Sequence, residues 1–186
     1  MLTLPNLLTI GRILAVPIIV ACLAVQGNDT LRGLALALFI IASLTDWLDG
    51  YLARAWDQQS ALGAMLDPIA DKLLVGAILI MLVADRTIAG LHVWAPVIIL
   101  CRELLVSGLR EVLATANVKL PVTNAAKLKT AIQMIALAVL LAAPLASETI
   151  ANIGLLLLWA AALLSAWTGA DYTRAALRHA IAQDQK

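Results

Sequence analysis

The sequence predicts an all-α, polytopic membrane protein with six transmembrane helices and a short N-terminal interfacial segment, forming a single domain over residues 1–186. Three observations predict it. The composition is 62% hydrophobic and only 13% charged, more apolar and less charged than an ordinary soluble domain. Apolar stretches recur six times, each near the ~20 residues a helix needs to cross the hydrocarbon. The polar breaks between them carry turn chemistry and are too short to separate domains. A formal net charge of +1 supplies no basic field, so nucleic acid is not an expected partner; membrane lipids are.

Taken in order, residues 1–9 carry no charge and can lie in the membrane surface ahead of the first span, 10–27. That span contains Ile19-Val20-Ala21-Cys22, which resembles the cleavage box of a bacterial lipoprotein precursor. Apolar residues continue past Cys22 through Val25, and the lead Met1 to Ile10 has no basic region, so cleavage is not expected. Gly27-Asn28-Asp29 turns the chain into the second span, 31–54, and Trp56-Asp57-Gln58-Gln59-Ser60 into the third, 61–84. Asp85-Arg86-Thr87 precedes the fourth, 92–115; a stretch around Pro121 precedes the fifth, 126–144; Pro144 to Glu148 precedes the sixth, 149–170. Cys22 and Cys101 sit inside apolar runs with neither disulfide-framework nor metal-ligand spacing, and are read as small core residues.

An even number of spans puts both termini on one side. Arg12, Arg54, Lys119, Lys127, Lys129, Arg174, Arg178 and Lys186 fall on that side and Arg32 and Arg86 on the other, which makes the terminus side of this multi-pass protein cytoplasmic. Trp56, Trp94 and Trp167 lie near span ends, where an indole can stay half wet, although ordinary packing explains them equally well.

The second and third spans break the rule that carboxylates avoid hydrocarbon. Asp46 and Asp49 are three residues apart and Asp67 and Asp71 four apart, so each pair shares a helical face about one turn apart. The short break around 55–60 makes the two helices antiparallel neighbours, and the four carboxylates can converge on one volume at their shared cytoplasmic end. Four such charges repel strongly, and protonation or cations are the two remedies. Two divalent cations nearly cancel four charges, and hard oxygen ligands favour Mg²⁺ or Mn²⁺ in an arrangement suited to in-line phosphoryl displacement. Gly50, Ala53 and Gly63 would let a helix or a diphosphate approach the backbone closely; Gly63 serves equally as a packing glycine.

Asp46-Trp-Leu-Asp49-Gly50-Tyr-Leu-Ala53-Arg54, then eight residues, then Gly63-Ala-Met-Leu-Asp67-Pro-Ile-Ala-Asp71 resembles the complete signature of the CDP-alcohol phosphatidyltransferases. The resemblance implies that Asp46, Asp49 and Asp67 hold one metal ion and Asp46, Asp67 and Asp71 a second, with Asp71 also the base. The implied reaction is attack by an acceptor hydroxyl on the phosphorus bearing the lipid, with CMP leaving. Gly50, Arg54 and Ser60, with Asn6 and Thr9 of the opening Pro5-Asn-Leu-Leu-Thr9, match positions where that family binds the CDP donor. Arg54 offers a planar fork for a phosphate oxygen; Asn6 and Thr9 are equally suited to a helix cap or turn.

The acceptor must be read from elsewhere in the chain. Arg102 and Arg110 on the fourth span and Lys127 and Lys129 at the start of the fifth suit an acceptor that is itself an anion, with Arg102, Arg110 and Lys127 the expected phosphate contacts. Span-end lysines also serve merely to set topology, and Glu103 or Glu111 offers Arg102 a structural partner. Leu4-Pro-Asn-Leu-Leu-Thr-Ile-Gly-Arg12, Arg102-Glu-Leu-Leu-Val-Ser-Gly-Leu-Arg-Glu111 and Lys127-Leu-Lys-Thr-Ala-Ile-Gln-Met134 are similar to the bacterial phosphatidylglycerophosphate synthases within that family. This implies CDP-diacylglycerol as donor, sn-glycerol 3-phosphate as acceptor and a homodimer. Inositol phosphate, serine or another phospholipid would be alternative acceptors. A divalent-cation carrier is disfavoured, because the aspartates crowd one end of the membrane and Arg54 beside them would repel a cation. An inactive scaffold would have lost some of the four aspartates, and all are present.

Overall fold

The computed structural model describes residues 4–55, 61–115 and 124–184; within these, side-chain surroundings are described outside 4–5, 47, 49–55, 61–62, 64, 112, 114–115, 124 and 179–184. Six long helices account for most of it: α1 (Leu4–Ala24), α2 (Asp29–Ala55), α3 (Ala61–Ala84), α4 (Trp94–Thr115), α5 (Asn124–Ala142) and α6 (Glu148–Asp184). Short 3-10 turns at Gly90–Val93 and Ala143–Leu145 precede α4 and follow α5. The predicted breaks at 56–60 and around Pro121 lie outside the described residues.

Among the described residues, four helical stretches are long and apolar enough to cross a membrane: Asn6–Ala24, Gly90–Glu111, Ala125–Leu145 and Glu148–Arg178. The chain is thus all-α, with the apolar helices of a polytopic membrane protein. α2 and α3 carry charge within their apolar runs, Asp46 and Asp49 in one and Asp67, Asp71 and Lys72 in the other. Large apolar side chains point outward from most helices, with Leu14 61%, Ile80 60% and Leu156 70% exposed. Such a surface suits lipid tails and would drive aggregation in water.

Two sequence expectations are corrected at the chain ends. Residues 4–9 are not set apart from the first span, because α1 runs without a break from Leu4. Pro5 falls in the first helical turn, where its missing N–H has no intrahelical carbonyl to serve, so it starts the helix instead of interrupting it. At the other end, α6 continues past the expected limit at 170 to Asp184, for 37 residues or about 55 Å. Hydropathy falls after Ala170, but the following residues, rich in alanine and free of glycine and proline, retain helix propensity.

The chain divides into two compact units, Met1–Ala89 with Leu137–Gly154, and Gly90–Ala136 with Leu155–Lys186. In the first, α1 packs against both α2 and α3. Ile19, Phe39, Leu74, Ile78, Leu82, Leu140 and Leu141 form its core. In the second, Ile99, Leu158, Ala161 and Ala162 are buried. Cys22 is buried as expected, whereas Cys101 is exposed on α4, a correction to its reading as a core residue. An apolar run in a membrane helix identifies a residue that tolerates lipid, and does not say whether it faces lipid or protein.

One end of the first unit is tied by polar chemistry. Gly27 takes φ 76°, and Asn28 caps α2 by accepting the Leu31 N–H at its Oδ1, 3.0 Å away. Arg32 donates to Asp85 Oδ2 at 2.5 Å, to Thr87 Oγ1 at 3.0 Å and to the Leu141 carbonyl at 3.0 Å. It thereby joins α2, the end of α3 and the last carbonyls of α5, which lack intrahelical donors. Gly154 brings α6 against α5 so closely that an added Cβ would lie 2.8 Å from Leu140 Cδ2.

Candidate active site

At the other end of α2 and α3, the carboxylates meet residues of α1. Asn6, Thr9 and Arg12 recur every third position, nearly one turn apart, and all three are buried. Arg12 Nη1 donates to Asp46 Oδ1 on α2 and, at 2.7 Å, to Asp71 Oδ1 on α3. Thr9 Oγ1 donates to Asp67 Oδ1 at 2.7 Å. One turn of α3 therefore separates two carboxylates, each held by a different residue of the same α1 stripe.

The Arg12 side chain is fully buried, whereas those of Asp46 and Asp71 are 42% and 51% exposed. The guanidinium thus forms the floor of the cluster, and the carboxylates form its open side. Asp49, Gly50 and Arg54 belong to α2, but their side chains lie outside the described residues, and Ser60 lies outside them altogether. Among the described residues, no three His, Cys, Asp or Glu side chains are grouped closely enough to hold a metal ion. Asp46 and Asp71 converge on a common point, while Asp67 is directed to Thr9. The donor set nevertheless fits a hard divalent cation: the ligand atoms are carboxylate oxygens, and two of them from different helices already approach a single cationic group.

The expected acceptor residues belong to the second unit. Arg102 is buried in α4; its Nη1 donates to Glu103 Oε1 at 3.1 Å and its Nη2 to Thr168 Oγ1 at 3.2 Å. Glu103 also accepts from buried Lys129 of α5. Arg102 and Arg110 both face the ring of Tyr172, at 5.9 and 5.8 Å from its centroid, so one aromatic side chain of α6 gathers the two guanidinium groups. Arg110 and Lys127 are exposed. Gly169 gives α6 room for Arg102, since an added Cβ would lie 2.8 Å from Arg102 Cγ.

Sequence reasoning gave Arg12 no place in the site, and it also missed Glu103's double role, Thr168 and Tyr172. The three-residue recurrence of Asn6, Thr9 and Arg12 on an otherwise apolar helix was the available signal for the first. A polar stripe in a membrane span has to face protein or a polar cavity.

The family model of the CDP-alcohol phosphatidyltransferases matches residues 2–167, a span that contains every carboxylate and basic residue described above as a candidate ligand. A CDP-diacylglycerol–glycerol-3-phosphate 3-phosphatidyltransferase of Rickettsia typhi is 44% identical over 177 residues, covering 94% of this chain and 97% of the relative. Proteins of the same description from Pseudomonas fluorescens and Arabidopsis thaliana are 40% and 43% identical, covering 96% and 93% of this chain and 92% and 79% of the relatives. With carboxylates of α2 and α3 drawn to one stripe of α1 and the match running through nearly the whole chain, the protein belongs to the CDP-alcohol phosphatidyltransferase family.

Proposed function

We propose that this enzyme transfers the phosphatidyl group of CDP-diacylglycerol to sn-glycerol 3-phosphate, giving phosphatidylglycerophosphate and CMP in phospholipid synthesis. The observation that carries the chemistry is the convergence of Asp46 and Asp71 from two helices on Arg12. The acceptor rests on full-length similarity to relatives that use glycerol 3-phosphate.

In this reading Asp46, Asp49, Asp67 and Asp71 hold two Mg²⁺ or Mn²⁺ ions. Divalent cations there would neutralise the donor diphosphate and the charge developing on departing CMP. Asp71 takes the proton of the attacking hydroxyl as the new oxygen–phosphorus bond forms and the bond to CMP breaks. Asn6, Thr9, Gly50, Arg54 and Ser60 bind the CDP donor. Thr9 has a second task, because its hydrogen bond fixes the Asp67 carboxylate. Arg102, Arg110 and Lys127 take the acceptor phosphate. Support for the pair of arginines comes from Tyr172, which gathers them, while the Glu103 and Thr168 bonds of Arg102 hold its guanidinium plane.

α2 and α3 also cross the membrane in this reading. At 27 and 24 residues they rise about 40 and 36 Å, enough for a ~30 Å hydrocarbon core, with the carboxylates toward one end. The termini and the active site are cytoplasmic in the cell inner membrane, and the enzyme is a homodimer, as the family resemblance implies.

The test is CMP release by purified protein with CDP-diacylglycerol, Mg²⁺ and a panel of glycerol 3-phosphate, inositol phosphate, serine and phosphatidylglycerol, followed by lipid mass. Release confined to glycerol 3-phosphate supports the assignment; preference for any other member overturns it.

A further inference from the structure

The fully buried guanidinium of Arg12 sits between two of the carboxylates assigned above to metal, and that assignment gives it no role. We propose that Arg12 is a built-in counter-cation that competes with divalent metal for Asp46 and Asp71, lowering the metal affinity of the cluster while holding α2 and α3 together when no metal is bound. The inference rests on the metal-site reading and deepens it.

The geometry gives Arg12 this position. One nitrogen, Nη1, donates to an oxygen of each carboxylate, so a single positive group is shared by two helices. Without it, Asp46 and Asp71 would face one another as like charges beside a desolvated helix interface, which drives the helices apart. A guanidinium stays charged at any pH the protein survives, so this compensation is permanent. A divalent ion approaching the same oxygens meets that fixed charge and must either share the carboxylates with it or displace it.

The consequence for catalysis concerns the surplus. Two divalent cations alone would balance four aspartates; Arg12 adds one positive charge at the floor of the site. A donor carrying a diphosphate then meets one more positive charge than the ions and Arg54 alone would supply. Weaker metal binding is then offset by stronger attraction for the negatively charged substrate.

Replacing Arg12 with Gln should therefore tighten metal binding, the opposite of what loss of a ligand-orienting residue would do. The experiment titrates Mn²⁺ into chelator-treated, detergent-purified full-length protein and follows the free-ion EPR signal. Arg12→Gln is expected to bind Mn²⁺ at least about tenfold tighter than the wild type, since removing a unit charge a few ångströms from a divalent ion is a large electrostatic change. Arg12→Lys, which keeps the charge, should stay within about threefold of the wild type by the same argument. Unchanged or weaker binding by Arg12→Gln, with normal binding by the wild type, overturns the role of Arg12. Absence of stoichiometric Mn²⁺ binding by the wild type overturns the metal reading and the inference with it. If Arg12→Gln does not fold, the double variant Arg12→Gln/Asp71→Asn decides, because it removes one charge of each sign. Recovery of folding by the double variant supports the counter-cation, because the like-charge pair is gone; failure to fold while Asp71→Asn folds overturns it.

Discussion

Replacing Thr9 by Val removes one hydroxyl and almost no volume, which isolates the hydrogen bond that α1 gives to Asp67. That bond is 2.7 Å long, its donor residue is buried and its acceptor is a carboxylate assigned to both metal ions. A hydrogen bond to a charged group is worth roughly 1.5–3 kcal/mol, and its loss at a reacting centre corresponds to about a tenfold to 150-fold fall in rate. The fall should appear in kcat as well as in kcat/KM for CDP-diacylglycerol, because a carboxylate free to rotate misplaces the groups that act in the transition state. Thr9→Ser keeps the hydroxyl and should remain within about threefold of the wild type. The assay is CMP release in mixed micelles at saturating glycerol 3-phosphate, on variants whose melting temperatures match the wild type. Thr9→Val activity within threefold of the wild type would refute the reasoning.

Asp46→Asn or Asp67→Asn should abolish turnover, as should excess chelator, because each removes a shared ligand or the ions themselves; full CMP release under any of these conditions contradicts the two-metal site. Arg110→Gln should raise the KM for glycerol 3-phosphate about tenfold to hundredfold while leaving that for CDP-diacylglycerol nearly unchanged, as steady-state kinetics with each substrate varied will show. Arg32→Met leaves Asp85 buried without its guanidinium and should cost about 3–5 kcal/mol of stability, read by reversible unfolding in mixed detergent, with partial recovery when Asp85→Asn is added. Gly154→Ala should lose about 1–3 kcal/mol in the same measurement, because Leu140 is fully buried and has little room to move away from the new methyl group.

The helices were legible because a bilayer imposes one simple rule, a run of about twenty apolar residues, and five of the six expected spans end within a few residues of the helices formed. That rule reads hydrophobicity and not helix propensity, so it stopped the sixth helix at 170, while the alanine-rich segment carries it to Asp184. It also divided off residues 4–9, although Pro5 stands in the first turn of α1 and does not break it. Spacing made legible that carboxylates of α2 and α3 come together, as Asp46 and Asp71 do. What spacing could not supply was partner choice across helices: that Arg12 would join Asp46 and Asp71, that Thr9 would take Asp67, or that Arg102 would choose Glu103, Thr168 and Tyr172 over Glu111. These depend on how α1 is rotated against α2 and α3, and α4 against α6, which no single helix encodes.

The central claim is that the acceptor hydroxyl attacks the lipid-bearing phosphorus and CMP leaves. Glycerol 3-phosphate labelled with oxygen-18 in its hydroxyl groups tests it in one mass measurement of the lipid product. Attack by the hydroxyl oxygen predicts phosphatidylglycerophosphate that retains every label, formed in equal amount to CMP. A product that has lost one label, or CMP released with no new lipid, would contradict the account.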